Sequence, residues 1–89
     1  GDRFEDGAAE VVVVSEFLEH LPDPLPALKE AFRLANQMVI VTVPAKPDEN
    51  PEHLQFFTKE SLASLFREAG PCKFKISQTL LNLQAVITF

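Results

Sequence analysis

One cysteine, three glycines, no tryptophan and no tyrosine stand among the 89 residues of this chain. The lone thiol, Cys72, has no internal disulfide partner, which fits a reducing compartment and predicts a cytoplasmic protein. The glycines, Gly1, Gly7 and Gly70, form no G-x-G pair, so the chain carries no glycine-rich loop of the kind that cradles phosphates. No apolar run approaches the roughly 20 residues that span a bilayer. The opening GDRFEDGAAE is too polar and acidic for a secretory signal. A basic excess is also missing. Eight Lys and Arg against 13 Asp and Glu leave a net charge of −5, which gives nucleic acid or an anionic membrane no electrostatic footprint. Neither is expected as a partner. What the chain does have is 46% hydrophobic residues, eight of them Phe. That is enough for one thin core, and residues 1–89 are read as a single domain with 1–10 as a loose lead-in.

Val11-Val12-Val13-Val14 is β-branched without alternation, the pattern of a strand apolar on both faces in a covered, mainly parallel sheet. SEFLEHL after it reads as a short helical turn. Pro22-Asp23-Pro24 breaks the chain; Asp23 is placed to cap the next helix, with Pro24 at its first position. Helical spacing predicts that helix over 25–34, with Asn36 as its stop. Met38-Val39-Ile40-Val41-Thr42-Val43 is a second apolar strand, ended by Pro44. A long polar loop, 45–57, leads to Phe56 and Phe57, and Thr58 caps a third helix that Gly70-Pro71 terminates. Residues 73–79 and 83–89 read as an antiparallel hairpin. The order strand–helix–strand–helix–strand–strand makes the fold class α/β: two parallel strands joined by a crossover, in a mixed sheet with a C-terminal antiparallel hairpin.

Glu16, Glu19 and His20 stand at i, i+3 and i+4, on one face if the segment is helical. With His53 from the long loop they offer two carboxylates and two imidazoles, a mixed O and N set that suits a divalent cation. The plainer reading is a solvated acidic face with His20 hydrogen-bonded at the turn's end, and no metal is favoured. Phe56 and Phe57 read either as a lid over a pocket or as a hydrophobic staple plus a core residue, and the staple is preferred. Cys72 has no neighbouring base in sequence and reads as an inert, partly buried thiol.

VVVVSEFLEHLPDPLPALKEAFRL, MVIVTVP and EHLQFFTKESLASLFREAG, in that order and spacing, resemble the second half of class I S-adenosylmethionine (SAM)-dependent methyltransferases. The nearest kin implied are the small-molecule enzymes that include the ubiquinone-biosynthesis group. The resemblance covers about residues 10–89 and implies a Rossmann-like half-domain with SAM as the family cofactor. It puts Ser15, Glu16 and Phe17, the cofactor-binding candidates, at the cofactor's methionine end or at the acceptor; Glu19, His20, His53 and Phe56 are the candidates for binding the acceptor. The set Glu16, Glu19, His20 and His53 is also similar to the metal site of small-RNA 3′-end 2′-O-methyltransferases. Ala35-Asn36-Gln37 stands where the family has a Pro-Gly-Gly turn. The family's glycine-rich loop and ribose-binding acid are not within these residues, so catalysis by the chain alone is not expected.

The same resemblance leaves the Val11-Val12-Val13-Val14 strand without its family neighbour. An apolar edge with no charge, bulge or proline invites pairing. A homodimer or a complementing polypeptide across this edge is the expected partner. Three functions stay open at this point: a methyltransferase-family chain that needs a partner or a missing half, a non-catalytic oligomerisation or interaction module, and a small metal-binding domain.

Overall fold

Four consecutive valines favour extended backbone because branching at Cβ crowds a helix. In the computed structural model, which describes residues 7–45 and 57–89, they lie in β1 (Ala9–Ser15). The strand thus starts two residues before the valine block. Gly7 is tied to the following helix, its N–H donating to the Arg33 carbonyl at 2.9 Å. After β1 the chain makes a 3-10 turn at Leu18–His20 and enters α1 (Leu25–Leu34). The first turn of α1 has no carbonyls behind it to bond. Asp23 Oδ1 supplies one acceptor, taking the Leu25 N–H at 3.2 Å. Pro24 is the cap residue rather than the first helical one. Pro26 falls where a missing N–H costs nothing.

The helix stops at Leu34, and β2 (Ala35–Pro44) begins on the next residue. Asn36 is therefore strand, not a helix stop. The cause is pairing: Ala35 lies opposite Ala9 of β1, so the sheet captures residues the helix would otherwise keep. Next come α2 (Lys59–Ala69), β3 (Lys73–Gln78) and β4 (Asn82–Thr88). Thr58 and Ser61 cap α2 reciprocally: Thr58 Oγ1 accepts from the Ser61 N–H at 3.0 Å and Ser61 Oγ from the Thr58 N–H at 2.9 Å. At the other end Gly70 has φ 153°, a backbone that favours glycine.

The sheet order is β1-β2-β4-β3. β1 and β2 are parallel, whereas β2–β4 and β4–β3 are antiparallel. This is the mixed sheet with a closing hairpin that the pattern predicts. Val39, Val41 and Val43 of β2 and Leu83, Ala85 and Ile87 of β4 are buried with Leu28 and Ala31 of α1 and Leu62 and Phe66 of α2. Both helices therefore cover one face. Val12 and Val14 pack against that core, while Val11 and Val13 remain 44% and 62% exposed on the opposite face. Among the described residues β1 has one strand neighbour, β2, and so stands at an edge.

Cys72 sits half-buried after α2, its thiol donating to the Phe66 carbonyl with an S···O distance of 3.7 Å. Burial raises its pKa above the ordinary thiol value, so less thiolate is present at any given pH. Alkylation by iodoacetamide near about pH 8 is expected to be several-fold slower than for an exposed cysteine and to recover in urea. Equal rates in the folded and unfolded chain would contradict the burial. Among the described residues no helix is long and apolar enough to cross a membrane.

Candidate functional site

In an open α/β sheet, ligands lie beyond the carboxyl ends of the parallel strands, where strand tips and loops leave a crevice. Here that rim is the end of β1, the end of β2, and the β3–β4 turn. Ser15 lies opposite Thr42, and the Thr42 hydroxyl donates to Ser15 Oγ at 3.0 Å. Glu16 then turns the chain with φ 52°, an uncommon conformation for a residue with a side chain. It costs on the order of 1 kcal/mol and persists only where neighbours enforce it. They do: the Glu16 N–H donates to the Thr42 carbonyl at 2.9 Å. The Asn82 amide, with its nitrogen facing them, donates to Glu16 Oε1 and to the Leu81 carbonyl, both at 3.1 Å. The Ala45 N–H reaches the same Leu81 carbonyl at 2.9 Å. β1, β2 and the hairpin tip are thus fastened to one another at this rim.

The forced turn sets the burial of the next three residues. Phe17 is left 49% exposed, while Leu18 and Glu19 are driven inward to 0% and 1% exposure. Glu19 is the sole charged residue in the described core, and neither carboxylate oxygen finds a hydrogen-bond partner among the described residues. His20 Nε2 lies 4.0 Å from Glu19 Oε2, on a side chain one-third exposed. Because the 3-10 turn starts only at Leu18, Glu16 stands outside it and does not share a helical face with Glu19 and His20. No group of three or more His, Cys, Asp or Glu side chains gathers to hold a metal among the described residues. His53 and Phe56 lie outside the described residues. Phe57 is buried, at the position before the Thr58 cap, and shares the core with Leu62 four positions into α2, the arrangement of a hydrophobic staple.

Sequence reasoning misses Thr42, Asn82 and the turn leucines. A hydroxyl in an otherwise apolar strand is the available signal for Thr42. Leu80 and Leu81, 75% and 71% exposed at a turn where polar residues are usual, are the signal for the hairpin tip. A cleft of about 180 Å³ opens beside it, lined by Ala45, Phe57, Thr58, Lys59, Gln78 and Leu83 among others. The rim thus offers a hydroxyl, a carboxylate and an exposed ring. It suits holding and aligning a ligand more than proton transfer.

A family model described as a methyltransferase domain matches residues 1–71. The chain belongs to the methyltransferase domain family. No curated protein matches this methyltransferase-family chain significantly. Among solved structures, a SAM-dependent methyltransferase of Thermotoga maritima superposes with a TM-score of 0.76 at 17% identity, over 100% of this chain and 60% of its own. A chain of the Pnkp1/Rnl/Hen1 RNA repair complex gives 0.75 at 15% identity, over 97% of this chain and 23% of its own. A Bacillus halodurans protein named as a methyltransferase gives 0.66 at 12%, over 98% and 65%. These likenesses establish the Rossmann-like methyltransferase fold. The chain spans 60% of the length of the Thermotoga protein.

Proposed function

We propose that this chain forms the carboxyl-rim part of a SAM-dependent methyltransferase acting on a small molecule, of the kind found in the ubiquinone-biosynthesis group. The observation that carries the reading is the fastened rim, in a chain whose family is methyltransferase. When bound, SAM supplies an electrophilic methyl on a sulfonium, and its transfer needs alignment more than acid–base help. Ser15, Glu16 and Phe17 fit its methionine end: a carboxylate favours the sulfonium cation and an exposed ring covers it. No G-x-G stands in the sequence to admit the nucleoside part. The chain is therefore expected to hold SAM weakly and to need residues supplied from elsewhere for turnover. Nitrogen-15 NMR titration tests this. At several millimolar SAM, an affinity of about 1 mM or weaker should give fast-exchange shifts at Ser15, Glu16, Phe17, Thr42, Val43 and Ala45. Shifts scattered over the chain, or none, would sink the reading.

A second reading, an interaction module derived from a methyltransferase, is favoured by the contrast between the sheet's two edges. β3 carries exposed Lys73 and Lys75, which discourage strand addition. The valine block of β1 carries no such guard; the charge and irregularity of this edge, exposed Glu10 and a register shift between Ala9 and Val11, stand before it, a departure from the expected edge free of both. We infer that β1 pairs with a strand from a second copy or from a complementing polypeptide. Light scattering on the 89-residue chain is expected to show a dimer that Val12→Pro dissociates, since proline removes a backbone donor. A monomer at all concentrations would remove the second copy and leave the complementing polypeptide.

A further inference from the structure

β3 ends the sheet opposite β1, so one side of its backbone has no strand neighbour among the described residues. α2 runs beside this edge, on the covered face, and a groove of about 400 Å³ lies between the two. Ala63 of α2 and Phe74 and Ile76 of β3 give the groove an apolar floor. Phe74 and Ile76 share it because alternate residues of a strand point to one face, and here that face carries the helices. Lys59 and Arg67, both exposed, are the first and last α2 residues that line it. Eight residues of helix separate them by about 12 Å along its axis.

Charge defines the occupant. In a chain of net charge −5, four of the eight Lys and Arg residues, Lys59, Arg67, Lys73 and Lys75, stand on these two elements. Among the described residues no carboxylate pairs with Lys59 or Arg67. Arg67 lies over the Phe74 ring at 5.5 Å, a contact that consumes none of its N–H donors. Glu60 lines the groove beside Lys59 and offsets part of its charge, so Arg67 is the stronger anchor. An open strand edge bonds an extended backbone, and the hollows beside it select side chains. Residues of an added strand rise about 3.3 Å each and alternate in face. Its first, third and fifth side chains therefore share the groove, the outer two about 13 Å apart, which matches the interval from Lys59 to Arg67. Lys73 and Lys75, on the other face, repel a second copy of β3 but not a strand that brings carboxylates.

We propose that the groove between α2 and β3 binds an extended peptide segment of a partner protein with the pattern acid–x–apolar–x–acid. The segment adds to β3 as a strand, its apolar side chain on Phe74 and Ile76, one carboxylate on Arg67 and the other on Lys59. The groove contains none of Ser15, Glu16 and Phe17 and lies at the edge opposite β1, so the site does not depend on SAM binding or on pairing at β1.

The test is fluorescence anisotropy with a labelled, end-capped pentapeptide, glutamate–threonine–leucine–threonine–glutamate. A second probe has lysines for the glutamates, and a third has serine for the leucine. The wild-type chain should bind the first about tenfold more tightly than the second and several-fold more tightly than the third. Arg67→Glu should abolish the preference for the acidic probe, and Lys59→Glu should reduce it. Lys29→Glu, exposed on α1, makes the same change in net charge and should leave binding as it is. These three positions are exposed, so circular dichroism should report an unchanged fold. Of two probes N-methylated on alternate amides, one should lose binding and the other keep it, since only alternate N–H groups face β3. Equal affinity for the acidic and basic probes, or no saturable binding up to about 2 mM, overturns the proposal. An equal loss from Lys29→Glu and Arg67→Glu also overturns it, because net charge then does the attracting. Equal binding of the two N-methylated probes overturns the added strand.

Discussion

Phe66→Ala is expected to cost about 3–5 kcal/mol of folding stability, the range found for emptying a buried aromatic site. Phe66 is fully buried on α2 and meets the Phe74 ring edge-on at 5.3 Å between centroids. Phe74 in turn lies under the Arg67 guanidinium at 5.5 Å. The ring therefore fastens α2 to the hairpin edge of the sheet, and its loss loosens both. A chain of this size holds roughly 5–13 kcal/mol in all, so the substitution removes a large fraction of the total. Urea unfolding followed by circular dichroism measures it. Leu65→Ala, one residue earlier and only half-buried, is the control and should cost about 1 kcal/mol. Similar midpoints for the two variants would show that the core is not centred where the burial places it.

The elements of the fold were legible because two periods carry them. Leu62, Leu65, Phe66 and Ala69 repeat at helical spacing, and the helix they predict matches α2. The β-branched blocks gave β1 and β2 their centres but not their ends. Ala35, Asn36 and Gln37 have no strand preference of their own; they are extended because β1 lies beside them. At the rim, Ser15, Glu16 and Phe17 were legible at a strand exit. The positive φ of Glu16 was not, because that conformation is imposed by Thr42 and Asn82, which are distant in sequence. The helical face assumed for Glu16, Glu19 and His20 failed for the same reason. A short segment takes its shape from the contacts at its ends, and here the strand exit consumes the residues that a full helical turn would need.

Replacing Glu19 by leucine is expected to stabilise the chain by about 1–3 kcal/mol, the usual cost of a buried polar group that, like its carboxylate among the described residues, has no hydrogen-bond partner. At about 4–8 °C per kcal/mol for a domain of this size, that is a rise of several degrees or more in melting temperature. The side chains are similar in volume, so little repacking is required. Glu19→Gln should gain much less, since the amide stays buried and needs bonds of its own. A carboxyl group in a dry position beside a strained turn is what a folding optimum would remove, and chains retain such groups where a ligand uses them. Calorimetric melting, read with the SAM-induced shifts at Ser15, Glu16 and Phe17, therefore separates two causes. Higher stability with the shifts abolished places the carboxylate in ligand binding. Higher stability with the shifts intact confines it to a local defect of packing. Lower stability would show that the carboxylate is stabilised in the folded chain, by His20, whose Nε2 lies 4.0 Å away, or by another donor.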